Sequence, residues 1–184
     1  MGSFKSAFEK NEIKISQILL TLDDTEQRRR SINARRTIDT LLKLGIVPVV
    51  NENDTIATSE IRYGDNDRLA SRVAQITSAD CLILLSNING LYSADPSTDE
   101  DVKLINKVSE IDKDIEKMIG QSISDYGKGG MKTKIQAAKT AMLSGCHLAI
   151  TNGSIMRPVK SLFEGRPCTS VSYTHLRAHE TSRD

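Results

Sequence analysis

Short runs of consecutive apolar residues alternate along this chain with stretches whose apolar positions recur every three or four residues. Ile13 to Thr21 predicts a strand, and Asp23 and Asp24 follow as candidate helix N-caps. From Thr25 to Leu44, the apolar residues Ile32, Ile38, Leu41, Leu42 and Leu44 keep helical spacing, and Gly45 predicts the stop. Ile46-Val47-Pro48-Val49-Val50 has the pattern of a compact, buried strand, in which Pro48 is a mild anomaly because proline cannot donate to a ladder. A polar loop from Asn51 to Thr58 leads to a second helix from about Asn66 to Thr77. Cys81 to Leu85 is a continuous apolar strand of the kind buried on both faces, with Asp80 before it and Ser86-Asn87 after it. Residues 88 to 104 are polar and turn-rich. A short helix is expected from Ile111 to Ile119 and a firmer one from Met131 to Leu143, ending at Gly145. A strand from Leu148 to Thr151, a helix from Ile155 to Phe163 and a short strand near Val171 complete the pattern.

Continuous apolar strands separated by amphipathic helices define an α/β fold, with a mainly parallel sheet sandwiched by helices. In such sheets ligands bind beyond the carboxyl ends of the strands. The polar segments after Val50 and after Leu85 occupy those positions.

Composition narrows the picture without changing it. At 184 residues the chain suits one domain, and its hydrophobic (38%) and charged (27%) contents are those of an ordinary globular protein. A net charge of +1, 4% aromatic residues and no Trp give no footprint for nucleic acid or an anionic membrane. Cys81, Cys146 and Cys168 have neither metal spacing nor a disulfide framework. Cys81 and Cys146 fall in apolar runs and read as small buried hydrophobes. With no apolar run of membrane-spanning length and no signal-peptide core in Met1 to Asn11, a cytoplasmic location is expected.

Four segments carry candidate chemistry. Asn51-Glu52-Asn53-Asp54 directly follows a strand, where such groups can hold an amine, a hydroxyl or a metal ion; a solvated Asx-rich turn would use the same residues. Gly64-Asp65-Asn66-Asp67 leads into a helix. One of these residues suffices as a cap, so the surplus carboxylates point to a cation or ammonium group nearby. Gly127-Lys128-Gly129-Gly130-Met131-Lys132-Thr133-Lys134 opens another helix, where glycines and free amides favour an anion and Lys134 can reach a phosphoryl group. The segment lacks Walker A spacing, and a plain glycine loop is the competing reading. Gly90-Leu91-Tyr92-Ser93-Ala94-Asp95-Pro96 either walls a nucleotide base or is an ordinary turn.

In this order, Val47-Pro48-Val49-Val50-Asn51-Glu52-Asn53-Asp54, Gly64-Asp65-Asn66-Asp67, Asn89-Gly90-Leu91-Tyr92-Ser93-Ala94-Asp95-Pro96 and Gly129-Gly130-Met131-Lys132-Thr133-Lys134 resemble the amino-acid kinase family, and within it the glutamate-phosphorylating branch. Asn33-Ala34-Arg35 fits too, and the resemblance runs from about residue 8 to residue 165. It implies ATP-dependent phosphorylation of the γ-carboxylate of L-glutamate, with Mg²⁺ bridging the ATP phosphates and no metal ligand assigned to the protein. By the same resemblance Asp54, Asp65 and Asn66 bind glutamate. Asp67 and Lys134 are catalytic, Asp67 organising the loops and Lys134 neutralising charge on the phosphoryl oxygens. Ser86, Asn87, Lys128, Gly129, Gly130, Met131, Lys132, Thr133 and Lys134 line the ATP site. Homo-oligomerisation and feedback by proline are further implications, with no nucleic-acid or membrane partner.

The chain departs from the family pattern in three ways. Ser86-Asn87 stands where Thr-Asp is common, and Lys128 where Thr is common. Nothing before Ile13 supplies the family's opening lysine strand, its Gly-Ser phosphate loop or its second strand, so an incomplete sheet, exposed faces and little turnover are expected. Residues 1–171 are therefore taken as a partial kinase domain. Residues 172–184, which include Tyr173-Thr174-His175-Leu176-Arg177-Ala178-His179, change character abruptly, resemble translated adapter sequence, and are excluded from the fold. Two other readings stay open: a non-catalytic glutamate-binding or oligomerisation module, and another carboxylate or carbamate kinase of the superfamily. The Asn51–Asp54 and Gly64–Asp67 pair favours glutamate over the latter.

Overall fold

The computed structural model describes residues 2–53, 66–94, 102–109, 111, 115 and 131–172. In chain order the elements are α1 (Gly2–Glu9), β1 (Lys14–Leu20), α2 (Leu22–Glu26), α3 (Arg28–Lys43), β2 (Ile46–Glu52), α4 (Asn66–Thr77), β3 (Cys81–Ser86), β4 (Lys107–Val108), α5 (Met131–Leu143), β5 (His147–Asn152), α6 (Pro158–Phe163) and β6 (Thr169–Val171). The expected α/β alternation is present, and three of the four strand pairings are parallel: β1–β2, β3–β5 and β4–β6. Among the described strands β5–β6 is the antiparallel pair, and an isolated antiparallel bridge joins Tyr92 and Leu104.

Hydrogen bonding divides these strands into two ladders, β1-β2 and β3-β5-β6-β4. Helix α4 joins them. Its Leu69 packs with Leu20 and Ala34, alongside Ile18, Val50 and Val73, while its Ala74 belongs to the larger core of Leu84, Leu148, Ile150, Ile135 and Val171. Opposite α4, helix α5 presents Ala137, Ala138 and Ala141, all fully buried. Side chains this small let two helix backbones approach closely, so a larger residue at any of them would force the helices apart.

The proline in β2 is explained by its direction in the ladder. The Asn53 amide donates to the Leu20 carbonyl (2.9 Å), so odd-numbered residues of β2 point their backbone groups at β1. Pro48 faces the other way, towards the open edge, where a missing N–H costs no bond to β1.

Several expectations change in the folded chain. The helix expected from Thr25 is two helices, α2 and α3, separated at Gln27, which has extended backbone dihedrals. Neither Asp23 nor Asp24 caps α2. The cap is Thr21, and Asp24 reaches back to accept from the Thr21 amide (2.8 Å) and hydroxyl (2.7 Å). Helix α6 begins at Pro158 rather than Ile155, because proline's fixed φ suits a first helical position and Arg157 before it is left-handed (φ 55°). The two-residue strand β4 and the helix α1 lie in segments with no strong periodicity and were not anticipated. The helix expected over 111–119 falls mostly outside the described residues.

The strands expected to be buried on both faces are covered on one. Leu84 is buried but Leu85 is half exposed, and Leu19 and Val47 are also exposed. Among the described residues the helices cover the strand face that carries Leu20 and Leu84, with Leu69 of α4 packed against it, whereas Leu19, Val47 and Leu85 on the opposite face are exposed. Cys81 is likewise exposed, contrary to the buried role read for it, because it begins an edge strand; Cys146 is buried as expected. No described helix is long and apolar enough to cross a membrane.

Candidate active site

The centre of the site is an ion pair between two helix N-termini. Asp67 is the second residue of α4 and Lys134 lies in the first turns of α5; their Oδ2 and Nζ atoms are 2.9 Å apart. The Thr133 hydroxyl donates to the same Asp67 oxygen at 3.4 Å. Both charged side chains are largely buried, at 8% exposure for Lys134 and 17% for Asp67. A carboxylate in the first turn of α4 is favoured by the helix dipole, and a lysine in the first turns of α5 is not. Asp67 offsets that cost. Taking two charges out of water is repaid only when they pair at good geometry, as here.

The local sequence explains the arrangement. Helix α4 presents Leu69 and Ala74 to the two cores, and α5 presents Ile135, Ala137, Ala138 and Ala141; packing these faces brings the two amino-terminal turns together. The first amides of α5 and the Lys134 ammonium group are donors at one corner, the kind of groups from which an anion accepts. Asp67 holds the lysine head in place while leaving other ammonium protons directed elsewhere.

Asn66, the first residue of α4, lines a cleft of about 440 Å³ with Asn51 at the end of β2, above an apolar wall that includes Val50, Leu69, Val73 and Leu82. Among the expected substrate residues, the fold therefore brings Asn66 to the mouth of this cleft. Asp54 and Asp65 lie outside the described residues, as do Lys128, Gly129 and Gly130 of the glycine segment. Its continuation is described: Met131 packs against the larger core, Lys132 is exposed, and Thr133 and Lys134 meet Asp67. Ser86 and Asn87 end β3, where the Ser86 hydroxyl donates to the Asn87 side-chain oxygen (3.2 Å). Among the described residues no group of three or more His, Cys, Asp or Glu side chains could hold a metal ion.

Two features escaped sequence reading. Asn51, which lines the cleft with Asn66, was singled out only as part of the Asn51–Asp54 segment and given no role of its own. Thr169, buried at the start of β6, carries no motif signal at all; its hydrogen bonds span 78 and 64 residues of sequence.

Two charged helix termini meet here in an α/β fold whose strand pairings are mainly parallel, and comparison with known proteins identifies the family that has this fold. The amino acid kinase family model matches residues 3–152. The chain belongs to the amino acid kinase family. It is 62% identical over 169 residues to the glutamate 5-kinase of Pelagibacter ubique (strain HTCC1062), covering 92% of this chain and 46% of that protein. It is 54% identical over 167 residues to the glutamate 5-kinase of Paramagnetospirillum magneticum (strain ATCC 700264 / AMB-1), covering 91% and 45%. The chain thus spans just under half the length of these curated relatives. Among solved structures, the UMP kinase from Ureaplasma parvum shares the fold with a TM-score of 0.61 at 12% identity, over 92% of this chain and 65% of that one. An isopentenyl phosphate kinase matches with a TM-score of 0.61 at 16% identity, over 93% and 64%.

Proposed function

We propose that this chain is part of a glutamate 5-kinase, an enzyme that moves the γ-phosphoryl group of ATP to the γ-carboxylate of L-glutamate. The product would be glutamyl 5-phosphate, at the first step of proline synthesis. The observation that carries the reading is the 62% identity, over 92% of this chain, to a relative named for that activity. The buried Asp67–Lys134 pair between two helix N-termini supports it, because phosphoryl transfer needs mainly positioning and electrostatic stabilisation.

In this reading Lys134 neutralises charge on the oxygens of the transferring group, and Asp67 fixes where the lysine head sits. Thr133 and the first amides of α5, with Lys128 to Lys132 before and beside them, cradle the phosphates. Ser86 and Asn87 line the nucleotide site at the end of β3. Asn66, with Asp54 and Asp65, receives glutamate, the carboxylates taking its ammonium group. Mg²⁺ would supply charge neutralisation on the ATP phosphates, a role that needs few protein ligands. Self-association, proline as an inhibitor and a cytoplasmic location complete the proposal, and residues 172–184 are proposed to be a tail foreign to the domain, apart from the Ser172 amide, which donates to the Val108 carbonyl (3.1 Å).

Thermal unfolding of the chain with L-glutamate, L-aspartate or Mg·ATP tests this, since a ligand bound only by the folded state raises the transition by mass action. Glutamate and Mg·ATP are expected to raise it and aspartate to leave it unchanged. Equal responses to glutamate and aspartate would overturn the substrate assignment.

A further inference from the structure

The segment that follows β3 is clamped at both ends by residues to which the proposed chemistry gives no role. At its start, the Gly153 amide donates to the Ser86 carbonyl (2.7 Å), and a Cβ added at Gly153 would lie 2.8 Å from Leu85 Cβ. At its far end, Thr169 is fully buried, and its hydroxyl accepts from the Leu91 amide (2.7 Å) while donating to the Ile105 carbonyl (2.6 Å). A single oxygen thus ties together three chain segments: the Asn89–Leu91 turn, the stretch at Ile105 that precedes β4, and β6.

Gly90 completes the clamp. A Cβ there would collide with the Thr169 hydroxyl and lie 2.8 Å from the Thr169 amide nitrogen. The turn can seat against β6 only because residue 90 has no side chain. Leu91 beside it is buried in the larger core, so the hydroxyl and the leucine fix the turn from two directions.

We propose that Thr169 is a positioning residue: through Leu91 and Gly90 it sets the height and direction of the Ser86–Asn87 turn, and so the fit of that turn to a nucleotide. This rests on the reading of Ser86 and Asn87 as nucleotide contacts. Thr169 itself is buried beneath the turn and acts through it. A hydroxyl with both a donor and an acceptor partner in a closed core has no water to replace either bond, so its removal frees the Leu91 amide and the Ile105 carbonyl together.

The test compares Thr169→Val, which keeps the shape and removes the oxygen, with Thr169→Ser, which keeps the oxygen. Mg·ATP and L-glutamate dissociation constants and amide exchange at Leu91 are measured on the full chain. Thr169→Val is expected to accelerate Leu91 exchange and weaken Mg·ATP about tenfold. Glutamate affinity should stay unchanged, and Thr169→Ser should restore both other readouts. Unchanged Mg·ATP affinity despite faster Leu91 exchange would overturn the positioning role. Equal losses for both ligands, unrescued by serine, would reduce Thr169 to a packing residue. If the unaltered chain binds glutamate but no Mg·ATP, the positioning role falls with the nucleotide site while the glutamate assignment survives; binding of neither ligand sinks the proposed function itself.

Discussion

Asp67 and Lys134 are separated by 67 residues of sequence and by 2.9 Å in space. Each is a charged residue in an amino-terminal helical turn, and the contact exists because α4 and α5 pack along their small-residue faces. The pair therefore reports two things at once: that the helices are docked, and that an ammonium group stands ready where the glycine segment enters α5.

Removing one partner should separate stability from chemistry. Asp67→Ala withdraws the acceptor beside a largely buried ammonium group and is expected to cost on the order of 3 kcal/mol. The double change Asp67→Leu with Lys134→Met replaces both charges by apolar groups of similar size and should recover most of that stability. It should not recover any response to Mg·ATP. Urea midpoints with and without nucleotide check this; a double variant as unstable as Asp67→Ala would show that the pair stabilises the fold by more than cancelling its own desolvation.

Helix α4 ends on a strained residue where its neighbours end on glycine. At the ends of α5 and α6, Gly145 (φ 76°) and Gly165 (φ 84°) take the left-handed position, with the following amides, Cys146 and Arg166, bonded back to Ala141 and Ser161. The same closure at α4 runs from the Ala79 amide to the Ala74 carbonyl, but Ser78 (φ 53°) holds the left-handed position. Ser78→Gly should raise stability by about 1 kcal/mol, read as a higher urea midpoint at unchanged slope. A fall would mean that the serine makes contacts worth more than its backbone strain.

Direction within the ladder predicts where proline is tolerated in β3. The His147 amide donates to Asp80 and the Gly153 amide to Ser86, so even-numbered residues of β3 point their backbone at β5. Leu84→Pro removes a ladder donor in the core and should cost about 3 kcal/mol or more, enough to abolish a cooperative transition. Ile83→Pro removes a donor from the open edge and should leave the β3–β5 pairing intact. Amide exchange across β5 in the two variants distinguishes them, and equal loss of protection would refute the assigned direction.

Two thiols link stability to alkaline pH. The Cys81 residue is exposed at its strand edge, yet partial desolvation still pushes its thiol above the ordinary 9.0, with the nearby Asp80 carboxylate adding to the shift. Burial does the same for Cys146, with Cys81 and Asp80 contributing and a backbone bond at Leu82 opposing. The folded chain therefore keeps protons that the unfolded chain has lost. This contribution is complete below pH 9 and declines as pH rises through the folded values. Replacing both thiols, as Cys81→Ser with Cys146→Ala, should flatten the fall in urea midpoint between about pH 8 and 10 relative to the unaltered chain. Identical slopes would remove the thiols as its source.

The candidate site was partly legible in the sequence. Lys134 and Asp67 stood out because each sits in a polar cluster at a helix start, and local spacing is enough to see that. Their contact was not legible from spacing, since it depends on which faces of α4 and α5 meet. Thr169 was invisible, because a threonine between two ordinary residues carries no local pattern and its value lies in partners on distant strands. The break at Gln27 was missed because residues 23–31 hold no apolar position that could show a change of helix face, while the Thr21–Asp24 capping contacts that define α2 lie just upstream.

By itself the sequence determined the alternation of the main strands and helices (α1, β4 and the division of α2 from α3 apart), the glycine stops at Gly45 and Gly145, and the polar segments that follow β2 and β3, because these depend on periodicity and backbone freedom within a few residues. Only the tertiary structure decided that the strands form two ladders joined by α4, that the apolar runs of β2 and β3 are covered on one face, and that Asp67 meets Lys134. Those outcomes rest on contacts between residues far apart in the chain, where side-chain volume and ladder direction, rather than local pattern, select the partner.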